Sequence, residues 1–506
     1  MILILVETEL LAEVKVTIAQ VDGLAALLHL IDDPDEITSP ALRVSADRVL
    51  VSINWQRGIP PYLITDSLPH TGSNLLGLIF LQLGAYEKAA MYLEEYDNVR
   101  VALEAALHLQ HGNPGAVNMS PPANTARFSG FERYRYLHNQ AVLLHYQEHQ
   151  QEMSLDFVVK TYGEALAAAP DNEYYAFTTR QLADLYLDMG YLDKAEEMLR
   201  QAWQRDLTKQ AKHALQANLI QVLIQKITPS HQKLQLAEIT VLLKENLDYY
   251  EQASQSLEVG MLSMDAAWIA QLKDNYSEGL ACINQAIRLF EQEEVPELQG
   301  DAWMRKGTLL YGWAQKGQPF HQQAIDSYRQ ALKIFSKDLA PYVYADIHHH
   351  LALIYSEMPS TKEKKAMLNA LASKSFQEAL VFFTKEHFPY EYGCVCNNFG
   401  NALVKFPDSN FQSTTEKAIS YFEEALSVRH GEHYPYERAT TLLNLLEAYW
   451  QLPLDPQQRE VNQRRWGKMK TLAEEVQSLV EDKDSVLLEQ AEENLKELEK
   501  VRNSYA

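Results

Sequence analysis

At 506 residues, 46% of them hydrophobic, with only 20 glycines and 19 prolines, the chain is long enough for several domains and too apolar for disorder. Its formal net charge of −23 and pI near 5.2 weigh against nucleic acid or an anionic membrane as the main partner, because binding either requires Lys and Arg in excess. Cys282, Cys394 and Cys396 cannot build a disulfide framework, no run of 18 apolar residues occurs, and the apolar start MILILVETELL has no basic segment before it. A soluble, cytoplasmic protein is expected, with no cofactor implied.

Residues 1–65 read as an N-terminal helical cap. ELLAEVKVTIAQ and GLAALLHLI carry apolar residues at helical spacing, Asp32-Asp33-Pro34 ends the second, and Ser39-Pro40 is a helix-start signal. A DNA-binding helical head is the competing reading. With nine acidic against three basic side chains in residues 1–50, it has the wrong sign for phosphate contacts.

From about Leu75 a pattern begins: Leu76-Gly77, Phe80, Gly84, Tyr86, Ala89, Leu93. It returns most clearly as Leu182-Ala183, Tyr186, Gly190, Leu192, Ala195, Leu199 and Ala202, with Tyr162, Ala165 and Pro170 between the two. Small residues beside large ones at these spacings describe two helices docked at close range, with Gly190 supplying a left-handed residue at the end of the first. The pattern closely resembles the tetratricopeptide repeat (TPR) family. Weak at 207–250, where Thr228-Pro229 starts a helix, it recurs at Ala267, Tyr276 and Gly279; at Gly307, Ala324 and Tyr328; at Ala352, Ala372 and Phe376; and at Phe399-Gly400, Ala418, Phe422 and Ala425.

The resemblance implies an all-α fold, a right-handed α-solenoid superhelix of about nine TPR-like helical hairpins with helical caps. The expected divisions are the cap at 1–65, degenerate and regular repeats at 66–250, repeats with lengthened intra-repeat turns at 251–455, and C-terminal capping helices at 456–506. Twelve residues separate the paired small residues at 77, 183 and 267. Seventeen, twenty and eighteen do so from Gly307, Ala352 and Gly400. The extra stretches GQPFH, MPSTKEKK and FPDSNFQS read as turn insertions along one edge, with Ser413-x-x-Glu416 as a capping box after the last. Arrays stretched in this way occur in bacterial signalling and defence proteins, often joined to effector domains. Asp455-Pro456 starts a helix, and LLEQAEENLKELEKV is a closing amphipathic one.

No phosphate loop, HExxH or GxSxG is present, so no enzyme is expected. His348-His349-His350 are adjacent on a helix, where side chains diverge by about 100°, and Cys394-x-Cys396 diverge likewise. His430 and His433 lie three apart near a turn with no ligand pattern beside them. What remains is a surface. In TPR arrays the first helix of each pair lines a groove, and the resemblance places Asn397, Asn398, Asn401 and Lys405, Asn444 and Glu447, and His349 with Ser356 on it. Helix-interior asparagines serve either an extended peptide backbone or the neighbouring helix. Asn401 and Asn444 match the two asparagines of the carboxylate clamp of some TPR proteins, whereas Asn397 stands where its first lysine belongs. The expectation is a non-enzymatic scaffold or adaptor that binds a partner protein or peptide in its groove and regulates a separately encoded effector. The alternative is a ligand- or peptide-sensing regulator.

Overall fold

In the computed structural model the branched run Ile2–Val6 is a strand, β1, rather than the start of a helix. The structure describes residues 2–33, 41–57, 59–117, 128–147, 155–228, 232–406, 411–454, 457–480 and 486–504. It divides into two units, Met1–Lys273 and Asp274–Ala506.

In the first unit, α1 (Leu11–Ile18) leads to β2 (Leu28–Ile31), β3 (Leu42–Val44), β4 (Arg48–Val51) and β5 (Ser67–Pro69). They form one sheet in the order β2-β1-β3-β4-β5, with β1 parallel to β2 and β3, and β3, β4 and β5 antiparallel in turn. This corrects the expected helical cap over 1–65, where only α1 and short 3-10 turns are helical among the described residues. Strands of three to five residues are too short for a period to declare itself, and pairing partners far along the chain decide their conformation. The Ser39-Pro40 signal lies outside the described residues. Ile4, Val6, Leu42, Val44, Val49 and Leu68 face inward against Val14, Leu75, Leu78 and Ile79.

The repeats follow. α2 (Gly72–Gln82) and α3 (Tyr86–Tyr92) form the first pair, where a Cβ on Gly77 would stand 2.5 Å from the Leu93 side chain. After α4 (Asp97–Gln110) come the pairs α5 (Gly130–Tyr146) with α6 (Leu155–Ala168), and α7 (Asn172–Asp188) with α8 (Leu192–Trp203). Next are α9 (Lys209–Gln225) with α10 (Gln232–Gln252), and α11 (Ser256–Leu272) ends the unit. Gly190 adopts φ 73° just beyond α7, as its place in the pattern requires. α9 starts at Thr208, whose hydroxyl accepts from the Ala211 amide; Pro229 lies outside the described residues.

The second unit starts with α12 (Tyr276–Gln292) and continues with the pairs α13 (Pro296–Gln315) and α14 (His321–Ala331), α15 (Pro341–Glu357) and α16 (Lys362–Phe382), α17 (Pro389–Lys405) and α18 (Phe411–Val428), and α19 (Pro435–Gln451) and α20 (Arg459–Leu479). α21 (Val486–Ser504) closes it, and the Asp455-Pro456 start lies outside the described residues. Proline opens α13, α15, α17 and α19, where its missing N–H costs no hydrogen bond. The chain is thus an all-α solenoid of paired helices, with the sheet as its β element among the described residues. First helices touch one another, α5 with α7 and α7 with α9 in one unit, and α13 with α15, α17 and α19 in series in the other.

The lengthened repeats differ from expectation. α16 begins ten residues before Ala372 and α18 seven before Ala418, whereas α8 begins three before Ala195. Much of the added sequence therefore extends the second helix at its N-terminus. KEKK is helical, and α18 starts ahead of Ser413, so the Ser413-x-x-Glu416 box does not mark its start. Lys and Glu are good helix formers, and once nucleated the helix propagates back through them. Residues 407–410 of FPDSNFQS lie outside the described residues.

Close approach makes a testable prediction. A Cβ on Gly400 would lie 2.6 Å from the Phe422 ring, which is fully buried. Gly400→Ala should therefore destabilise by about 1–3 kcal/mol despite its better helix propensity. Gly163→Ala, on an exposed stretch of α6 with nothing near, should stabilise by roughly 0.5–1 kcal/mol. Denaturant titration of the two variants checks the opposite signs.

Candidate partner-binding faces

In the second unit, α15, α17 and α19 lie side by side and bring four of the expected residues into one hydrogen-bonded seam. Asn398 Nδ2 lies 3.0 Å from His349 Nε2, Asn397 Nδ2 donates to Asn398 Oδ1 at 3.3 Å, and Asn444 Nδ2 donates to Asn397 Oδ1 at 2.9 Å. Asn398 donating fixes His349 Nε2 as the acceptor, so the ring is neutral with its proton on Nδ1. Burial, then the adjacent His350, push His349 down to about 3. Asn397 and Asn444 are thus engaged between helices.

Asn401 is half-buried, Lys405 and Glu447 are exposed, and none of the three makes a side-chain hydrogen bond or ion pair among the described residues. Ser356 donates to Leu353 O. Of the clamp-like asparagines, Asn444 is committed to Asn397 and Asn401 is open. The three consecutive histidines diverge: His348 packs on Tyr344, His349 joins the seam, and His350 stacks on Tyr328 at 5.4 Å with Asp346 3.8 Å away. Cys394 Sγ accepts from Arg429 Nη2, while Cys396 is buried and its thiol is pushed up to about 12, first by burial. The His433 amide donates to His430 O in the turn before α19. No group of three or more His, Cys, Asp or Glu is placed to hold a metal among the described residues.

The first unit holds a face that the sequence reading passed over. Between β4 and β5 the chain leaves the sheet and runs across α5, α7 and α11, whose side chains grip its backbone. Arg180 Nη1 donates to Trp55 O at 2.8 Å, and the Arg57 amide donates to Glu258 Oε1 at 2.8 Å. His138 Nε2 donates to Pro61 O at 2.9 Å, and Arg135 donates to Ile64 O. Asn139 takes both sides of Leu63, accepting from its amide at 2.8 Å and donating to its carbonyl at 2.7 Å. Trp55 is buried edge-on against Phe177, with centroids 5.4 Å apart.

The signal that could have found this face is register. Asn397 and Asn398 precede Gly400 by three and two residues; Arg180 and Gln181 stand so to Ala183, and His138 and Asn139 to Ala141. Asn218 links two charged groups here: Arg180 Nε donates to Asn218 Oδ1 at 2.9 Å, and Asn218 donates to Asp184. Even so, burial pushes Asp184 up to about 6 against the pull of Arg180 and Arg57. His138 is pushed down to about 4 by burial.

These histidines make stability pH-dependent. The unfolded chain protonates His349 below its ordinary 6.5, and the fold refuses that proton until about 3. Stability is therefore complete above 6.5 and falls with pH, by on the order of 2 kcal/mol near pH 5. His349→Gln, which keeps an acceptor for Asn398, is expected to flatten this loss in the second unit. Chemical denaturation at several pH values between neutral and about pH 5 measures the slope.

Residues 181–207, spanning α7 from Gln181 through α8, match the tetratricopeptide repeat family model. No curated protein matches the chain in sequence. Among solved structures, one similar chain is a STAND signal-transduction ATPase with a tetratricopeptide repeat sensor from Pyrococcus horikoshii, at 15% identity and TM-score 0.48, over 80% of this chain and 62% of that one. This chain thus spans about three fifths of that protein's length. Others are the P58(IPK) TPR domain, at 13% identity and TM-score 0.23 over 85% and 97% of the two chains, and the Cut9–Hcn1 hetero-tetramer of the APC/C, at 13% and 0.27 over 84% and 95%. The chain thus carries a tetratricopeptide repeat at residues 181–207, over α7 and α8, and the same small-residue docking recurs in the pairs at Gly77, Gly307 and Gly400.

Proposed function

We propose that the chain is a non-enzymatic scaffold or adaptor that holds an extended segment of a partner protein along the first-helix face of α15, α17 and α19, and through it regulates a separately encoded effector. The observation that carries this reading is the shared register. Positions that grip backbone groups in the first unit are taken by asparagines and a histidine in the second, and beside them Asn401, Lys405 and Glu447 are unengaged among the described residues. An amide side chain offers a donor and an acceptor together, which is what an extended main chain needs. His349, Asn397, Asn398 and Asn444 set the floor of the site; Asn401, Lys405 and Glu447 make its contacts. Lys405 and Glu447 give it both signs of charge, in keeping with a peptide rather than a polyanion.

Ligand sensing is the second reading. It is favoured by a cavity of about 220 Å³ in the first unit lined by Arg57, Arg180, Asp184 and Gln221. A ligand-dependent rise in melting temperature without any partner protein would separate it from scaffolding.

The test is a crosslinked pull-down from the native cell to identify the partner, followed by binding measurements on variants. Asn401→Ala with Lys405→Glu should weaken partner binding by roughly tenfold or more while leaving stability within about 0.5 kcal/mol, since neither side chain supports the fold. Unchanged affinity in a stably folded double variant would place the partner elsewhere.

A further inference from the structure

β4 and β5 are adjacent antiparallel strands, and Leu50 pairs directly with Ser67. Such neighbours are ordinarily joined by two to five residues; here residues 52–66 intervene, without helix or strand among those described. Closing the hairpin does not need this length. The excess is spent running across first helices of the repeats.

The grip on this stretch is on its main chain. Trp55 O, Arg57 N, Pro61 O, Leu63 N, Leu63 O and Ile64 O are all bound by helix side chains. Backbone reading of this kind is how a groove holds an extended peptide from another chain. Its side chains are held as well: Trp55 seats on Phe177, the carboxylate of Glu258 faces Arg57, Asn54 Nδ2 donates to Gln82 O at 3.0 Å, and Ile64 is buried in the core beneath the sheet with Ile59 and Tyr62 packed against it.

The fit is incomplete. Arg57 Nη2 and Glu258 Oε2 are buried without a hydrogen bond, and the nearest approach of the two groups is 3.7 Å from Arg57 Nε to Glu258 Oε2. Unmade hydrogen bonds on buried charged groups are costly, and native interiors rarely keep them. Between the strap and the helices lies the cavity of about 220 Å³, lined by Asn54, Arg57, Tyr146, Arg180, Asp184 and Gln221. What holds the strap in spite of this is tethering: both ends are fixed in the sheet, so its effective concentration at the groove is in the millimolar range.

We propose that residues 52–57 and 59–65 are the resident, displaceable occupant of a peptide-reading groove on α5, α7, α9 and α11, and that an incoming extended segment gains this groove by displacing them. The competitor has the same chemistry done better: an extended segment with an aromatic anchor for Phe177, and a basic residue two positions on that pairs fully with Glu258 and fills the cavity beside Asp184. The strap thereby sets a threshold, because a competitor must exceed its tethered concentration before it binds. This inference concerns the first unit alone and stands or falls separately from the reading of the α15–α19 face.

The experiment replaces residues 53–64 by Asn-Gly, a two-residue turn suited to joining β4 to β5, and adds a fluorescent synthetic peptide of residues 52–65 in trans. The strapless protein is expected to bind the peptide saturably, the intact chain at least roughly tenfold more weakly, and Arg180→Ala in the strapless background to lose most of the affinity. A folded strapless protein with no saturable binding up to about 1 mM peptide would overturn the proposal. Should the strapless protein not fold, hydrogen exchange on the intact chain decides. The Arg57 and Leu63 amides are expected to exchange by local opening, well ahead of the paired amides of β4, and equal protection of strap and strand would show a fixed structural element instead.

Discussion

The constraint on which the rest depends is the approach of two helices to within the thickness of a missing side chain. Gly307 lies under the Tyr328 ring and Gly400 under Phe422, each so close that a Cβ would stand within 2.8 Å of ring carbons. Both rings are buried, as are Ala324, Ala331, Ala418 and Ala425 beside them. Docking of this kind fixes the rotation of the first helix about its own axis. Once that rotation is set, the residues three and two positions before the small one project onto the face where first helices meet one another. A packing rule thereby becomes a rule for placing polar side chains.

The two units use that rule with different chemistry. In the first, the face carries the charged Arg180, Asp184 and Glu258; Asn218 links Arg180 to Asp184, Arg180 and one oxygen of Glu258 bind the strap's backbone, and the other Glu258 oxygen lacks a hydrogen bond. In the second, the seam is His349, Asn398, Asn397 and Asn444, all neutral when the ring is unprotonated. A neutral seam can be desolvated between helices at modest cost, whereas a charged one has to be fully paired. The amide seam closes on itself, whereas the charged face is covered by a segment of the chain that leaves Arg57 Nη2 and Glu258 Oε2 without hydrogen bonds.

Much of the repeat architecture is legible in the sequence because it rests on local signals: small residues twelve apart, Gly190 at a left-handed position, proline opening α13, α15, α17 and α19. The sheet is not, for a physical reason. ILILV and LHLI are apolar runs that suit either a strand or a buried helix turn, and β1 becomes a strand by pairing with residues more than twenty positions away. The strap is silent for the same reason: it has no period, and what gives it a conformation is the side chains of α5, α7 and α11. The stretched repeats show the converse error, in which polar residues taken for turns prolong α16 and α18.

The asparagine face shows where sequence reading runs out and what replaces it. Each of these amides can serve a neighbouring helix or a ligand, and composition does not distinguish the two; the spacing of first helices does. Asn397 meets Asn444 at 2.9 Å, so that pair is committed. Asn401 and Lys405 follow Asn397 at successive steps of four along the same stripe of α17, and Glu447 follows Asn444 by three on α19. One end of the stripe is thus spent on helix-to-helix bonding, and among the described residues the side chains beyond it make no hydrogen bond or ion pair. On the proposed reading, a segment lying along this face would meet an amide, a cation and a carboxylate above a neutral, hydrogen-bonded floor. That arrangement suits recognition of a backbone flanked by both charges better than recognition of a terminal carboxylate, for which the clamp's lysine is replaced by Asn397.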